Sequence, residues 1–160
     1  MNKQQGFSLI ELLIVVAIIA IIAAIAVPSM LTSRMAANEA GAIQGCRTIG
    51  SAEVAYSAVN NQTYTDLATL VTGNFLDSRF GATGFNGFSY AVGAVTNGTA
   101  FDAVNTGFLA KPLTAGSTGR YDYGISADQV VRYMGMDGAS VEAMCGTAAC
   151  AAGDPIGTAK

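Results

Sequence analysis

The 160-residue sequence predicts an α+β fold, one long N-terminal helix packed against a small antiparallel β-sheet. Three observations lead there. Residues 7–31 form a near-continuous apolar run holding one charged side chain, Glu11. Residues 32–59 continue with apolar side chains at helical spacing and without a strong turn signal. Past residue 87 the pattern changes to period two, in short runs separated by Gly- and Asn-rich stretches.

The apolar run comes first. From Phe7 to Leu31 there are 25 residues, a helix of about 37 Å at ~1.5 Å per residue. The hydrocarbon core of a bilayer is ~30 Å thick, so the run is long enough to span it. It also exceeds the apolar stretch of an ordinary secretory signal, which is roughly 7–15 residues. Lys3 precedes the run and few Lys or Arg follow closely, which predicts an N-in, C-out orientation. In the second half of the helix, Ile43, Cys46, Ile49, Ala52, Tyr56 and Val59 recur as a stripe, with Arg34, Glu39, Arg47 and Glu53 expected largely off it. One helix over about residues 7–59 is therefore predicted. Pro28 removes a backbone donor inside it and is expected to kink it. Gly41, Gly45 and Gly50 have two readings: close packing against the domain, or softness that lets the helix bend.

The remainder reads as a small domain. YTDLATLV at 64–71 predicts a short helix with Asp66 near its N-cap, ended by Gly73-Asn74. A Gly-rich connection follows. FSYAV, AFDAV, RYDYGI and VVRYMGM alternate as four short strands, with Asn97-Gly98 as a hairpin signal. Their apolar face is expected on the amphipathic half of the helix. Residues 73–87 and 105–119 are long enough to be surface loops. Tyr90, Tyr121, Tyr123 and Tyr133 are expected to pack on the sheet with their hydroxyls at its edge.

Composition narrows the function. Charged residues make up 12% of the chain, the net charge is −3 and the cations are scattered, so no basic face for nucleic acid is indicated. There is no His. No serine, cysteine or carboxylate constellation suggests catalysis, so a non-enzymatic protein without cofactor or metal is expected. Asp137, Glu142 and Asp154 lack the spaced oxygen ligands of a recognised calcium loop. Of the three cysteines, Cys145 and Cys150 lie five apart in the tail, and in an exported protein such a pair is expected to close a small disulfide loop. Cys46 lies on the apolar stripe and is expected as a buried free thiol; the alternative is a bond to the tail.

The stretch Gly6-Phe7-Ser8-Leu9-Ile10-Glu11, followed by an apolar run to Pro28, resembles the class III signal of type IV pilins and pseudopilins. The likeness is strongest over residues 1–31. YSAVNNQTYTDLATLV at 56–71 also resembles the helix exit of small pilins and of the major pseudopilins of type II secretion. The resemblance implies a pilin-like fold in three parts: a leader at 1–6, a membrane-spanning and later filament-core segment at 7–31, and a globular head at 32–160. It implies that a prepilin peptidase cuts between Gly6 and Phe7 and that the new Phe7 amine is methylated. It further implies that Glu11 pairs with the Phe7 amine of a neighbouring subunit, and that identical subunits are assembled into a helical filament by machinery in the inner membrane. Pro28 is where such helices often lose helicity, but the glycine that many pilins carry within the apolar run is absent here. The implied locations are the inner membrane before assembly and the cell surface afterwards.

The physics of Glu11 agrees with this. A charge in a membrane span costs less near one end than at the centre. In an apolar filament core an unpaired charge is heavily penalised, and a neighbour's ammonium relieves it while fixing the register. Without the surrounding motif, the positive helix N-terminus alone would account for the acid. Two other functions compete with the pilus subunit: a major pseudopilin of type II secretion, and a membrane-anchored binding module that only borrows a span.

Overall fold

In a computed structural model of the chain, residues 7–82, 84–92, 107–126, 129–135 and 154–155 are described. Helix α1 spans Leu9–Val59 and helix α2 spans Leu67–Thr72, with a short 3-10 turn at Ser78–Gly81. Strands β1 (Phe88–Val92), β2 (Gly107–Pro112), β3 (Tyr121–Ser126), β4 (Val131–Gly135) and β5 (Asp154–Pro155) follow. They pair antiparallel in sequence order, a simple meander. The chain divides into two compact units, Met1–Arg34 and Met35–Lys160.

The second unit is built on a single sheet face. The register sets Phe88 opposite Pro112 and Tyr90 opposite Ala110. Phe108 faces Ile125 and Ala110 faces Tyr123, and Ile125 in turn faces Val131. Because side chains alternate along a strand, Phe88, Tyr90, Phe108, Ala110, Tyr123, Ile125 and Val131 emerge together. Ala42, Cys46, Ile49 and Ala52 of α1 join them in one core, with Leu67, Leu70, Leu76 and Phe80 from α2 and its exit. The small residues of α1 allow close approach. A Cβ on Gly45 would collide with the Tyr90 ring, and one on Gly50 with Ile125 and Gln129. At these two positions the packing reading of the glycines is the one realised.

Helix α2 begins and ends as its sequence dictates. Asp66 is its N-cap, accepting from the Thr69 N–H at 2.7 Å. Bonds from the Thr69 hydroxyl and N–H hold its carboxyl below the usual carboxylate range. Gly73 closes the helix, and Asn74 then turns through the left-handed region at φ 59°.

Four sequence expectations change. The buried face of α1 keeps the expected Cys46, Ile49 and Ala52, with Ile43 and Tyr56 packed against it, but it also takes in Glu39, Ala42 and Glu53, so both acids lie on it, and Val59 is exposed. Spacings of three and four carry a helical face, and polarity alone misplaced its two ends. Residues 105–119 are not simply a loop, because they contain β2. That strand carries no polar alternation, since Phe108, Leu109 and Ala110 are all buried, so no period-two signal marks it. The connection at 73–87 contains the 3-10 turn, capped by Asp77 through the Arg79 N–H at 2.9 Å, and buries Phe80. The Tyr90 hydroxyl is buried rather than at an edge. It lies where a Gly45 side chain would otherwise be. The expected AFDAV strand and the Asn97-Gly98 turn lie outside the described residues.

Candidate assembly segment

The functional residues suggested by the sequence concentrate in the first unit. Between Phe7 and Leu31, sixteen large apolar side chains are exposed, from Phe7 at 82% to Val15 at 49%. Each is worth roughly 1.5–3 kcal/mol if taken out of water, so the segment carries a driving force of tens of kcal/mol towards an apolar environment. The helix is apolar around its whole circumference here, which is the pattern of a segment enclosed on all sides. By length and composition it is able to cross a membrane, and its apolar window is wholly exposed.

Glu11 lies in the first turn of α1. Its carboxylate accepts from the Ser8 N–H at 3.1 Å, while the Ser8 hydroxyl oxygen accepts from the Ile10 N–H at 3.3 Å. This is a capping-box arrangement, in which a serine and an acid three residues later satisfy orphan donors of the helix start. Sequence reasoning singled out Glu11 and missed Ser8. The signal was present in the spacing Ser8-x-x-Glu11. Phe7 immediately precedes this cap, so the residue proposed as the new amino terminus and the acid proposed as its partner are one helical turn apart in the chain.

At the other end of the segment, helical conformation continues through Pro28. Proline supplies no N–H to the carbonyl one turn earlier. Just past it, the Ser29 carbonyl accepts from the Thr32 and Ser33 hydroxyls, each at 2.9 Å. Such back-bonding competes with the main-chain ladder and softens helices locally. Gly6, Cys145 and Cys150 lie outside the described residues.

Residues 1–27 match the model of the prokaryotic N-terminal methylation motif. The match covers the first 27 residues only, and over them it supports a class III signal of the type IV pilin and pseudopilin kind. No curated protein and no solved structure matches the chain. This pilin-type signal and the exposed apolar helix together fit anchoring in a membrane before assembly.

The second unit contributes two buried acids that sequence reasoning placed on the solvent side. Glu39 accepts from the Arg120 N–H at 2.7 Å and from its guanidinium at 3.3 and 3.2 Å, binding the turn before β3 to α1. Asn38 reinforces the same junction, donating to the Thr118 carbonyl at 3.0 Å. Glu53, fully enclosed, accepts only from the Thr65 N–H among the described residues. Burial pushes its carboxyl up to about 7; the Thr65 bond opposes this, and the Asp66 charge adds to it. Cys46 is a free, buried thiol, pushed up to about 12 by burial. A thiol so enclosed is packing material rather than a nucleophile.

Proposed function

We propose that the chain is a structural subunit that self-assembles into a type IV pilus filament. On this reading a prepilin peptidase cuts between Gly6 and Phe7, the Phe7 amine is methylated, and the apolar half of α1 passes from the bilayer into a bundle of like helices. The observation that carries the proposal is the methylation motif over residues 1–27 on a helix whose apolar side chains are exposed all round. A lone span needs only a bilayer; the pilin-type signal adds a reason for the helix to leave it.

Glu11 is the assembly contact in this scheme. In the uncut chain its carboxylate is engaged with its own Ser8 N–H. In an apolar bundle that single bond is poor compensation for a buried charge, and the Phe7 ammonium of a neighbouring subunit offers a much better one. Pro28 and the hydroxyls that follow it give the core helix a soft point. Cys145 and Cys150 are proposed as a disulfide that closes the tail.

Electron microscopy of fibres sheared from the producing cells tests the reading. Long surface fibres composed of this chain support the pilus subunit. A secretion defect without fibres on deletion of the chain would assign it to a type II secretion pseudopilus instead. Normal secretion and no fibres would overturn both in favour of an anchored binding module.

A further inference from the structure

Glu53 is the buried acid for which assembly has no use. It projects from the last turns of α1 and is fully enclosed. Both of its oxygens share one donor, the Thr65 N–H, at 3.2 and 3.4 Å. That bond crosses the whole α1–α2 connection. The connection is also held to the helix end by the Asn60 N–H on the Tyr56 and Ser57 carbonyls, the Asn60 side-chain amide on the Tyr56 carbonyl and the Gln62 N–H on the Ser57 carbonyl, while the Thr63 N–H closes a turn on the Asn60 carbonyl. Inside it Asn61 and Gln62 are both left-handed, at φ 52° and 60°, a conformation that asparagine takes readily and glutamine much less so.

Among the described residues, the charges around Glu53 are one-sided. From the start of α2 it faces Asp66, which is committed to capping that helix. Among the described residues, no cation lies within ion-pair reach of it, either from α1 or from the sheet. Glu39 provides the contrast on the same stripe. It has a guanidinium and a backbone N–H, whereas Glu53 has one amide and a neighbouring anion. Neutral, Glu53 fits its enclosure and still accepts from Thr65. Ionised, it is a desolvated anion beside a second anion, and opening the connection to water relieves both.

We propose that Glu53 is a proton-operated latch that clasps the α1–α2 connection when neutral and releases it when ionised. The direction of its perturbed titration agrees. A carboxyl raised above its unfolded value stabilises the closed form fully below the unfolded value, and that contribution is lost as pH rises through about 7. The latch does not depend on whether the chain builds a pilus or a pseudopilus.

Amide hydrogen exchange of the full chain in detergent micelles, corrected for intrinsic rates, reads the latch directly at Thr65. Between about pH 5.5 and about pH 8 the wild-type Thr65 protection is expected to fall by about tenfold or more. Glu53→Gln, which retains an acceptor but does not titrate, is expected to hold its protection constant. Asp66→Asn, which preserves a good N-cap, is expected to move the wild-type midpoint to lower pH, because the facing anion is gone. That variant decides the matter even if Glu53→Gln does not fold. Protection that is independent of pH in the wild type, an equal loss in Glu53→Gln, or a midpoint unmoved by Asp66→Asn would each overturn the proposal.

Discussion

The two halves of α1 share one helix and follow opposite rules. From Leu9 to Leu31 every large apolar side chain is exposed. From Glu39 to Glu53 small and medium residues are buried against a sheet that fits them closely. The acids differ in the same way. Glu11, exposed, is held by a local cap at the helix start. Glu39 and Glu53 are buried and tie distant backbone to the helix. The first half is thus unfinished as a monomer and calls for other molecules, whereas the second is completed by its own chain. Substitutions in the first half should change assembly without changing the fold, and substitutions in the second should do the reverse.

The largest effect is expected at Glu11. Glu11→Ala should abolish or nearly abolish filaments on the producing cells, counted by electron microscopy, while leaving the head's unfolding curve unchanged. All six tyrosines lie at residue 56 or beyond, so tyrosine signals report on the head. Filaments of normal number and length in that variant would remove Glu11 from the assembly contact. Next comes the core. Ile49→Ala, at a fully buried position, should cost about 2–5 kcal/mol in urea unfolding of the chain in micelles. Ile19→Ala in the exposed half should change that curve by no more than about 0.5 kcal/mol.

A smaller loss is expected at the Glu39 junction. Glu39→Ala strands the Arg120 N–H, which should cost about 1–3 kcal/mol. Because Arg120 is itself more than half exposed, its ion pair contributes only a minor part of that. Adding the carboxylate back as Glu39→Asp should recover little, since the shorter side chain cannot span the same three bonds. The gentlest test is pH. Glu53 predicts that the head's melting temperature falls as pH rises from about 4.5 through about 7, with the slope absent in Glu53→Gln. A flat wild-type profile would mean that Glu53 is better solvated than its enclosure implies.

Much of this contrast was legible in the sequence. The apolar run, its single acid, Pro28 and the α2 cap at Asp66 depend on local chemistry, and local chemistry is what a sequence displays. What stayed hidden depends on partners far along the chain. Glu39 looks like a solvated acid until Arg120, 81 residues away, is beside it, and Glu53 does so until Thr65 folds back. Strand β2 was invisible because burial on both faces erases alternation, leaving GFLAKP bounded by a glycine and a proline that read as a loop. Ser8 was the one miss with a local signature, obscured because Glu11 three residues on already had a role.

Mass spectrometry of the native protein's amino terminus tests the central claim most directly. A filament subunit is expected as a mature chain that begins at Phe7 and carries one added methyl group on its amine. A chain that retains Met1 through Gly6 would contradict it, because the ammonium proposed to pair with Glu11 would never be made.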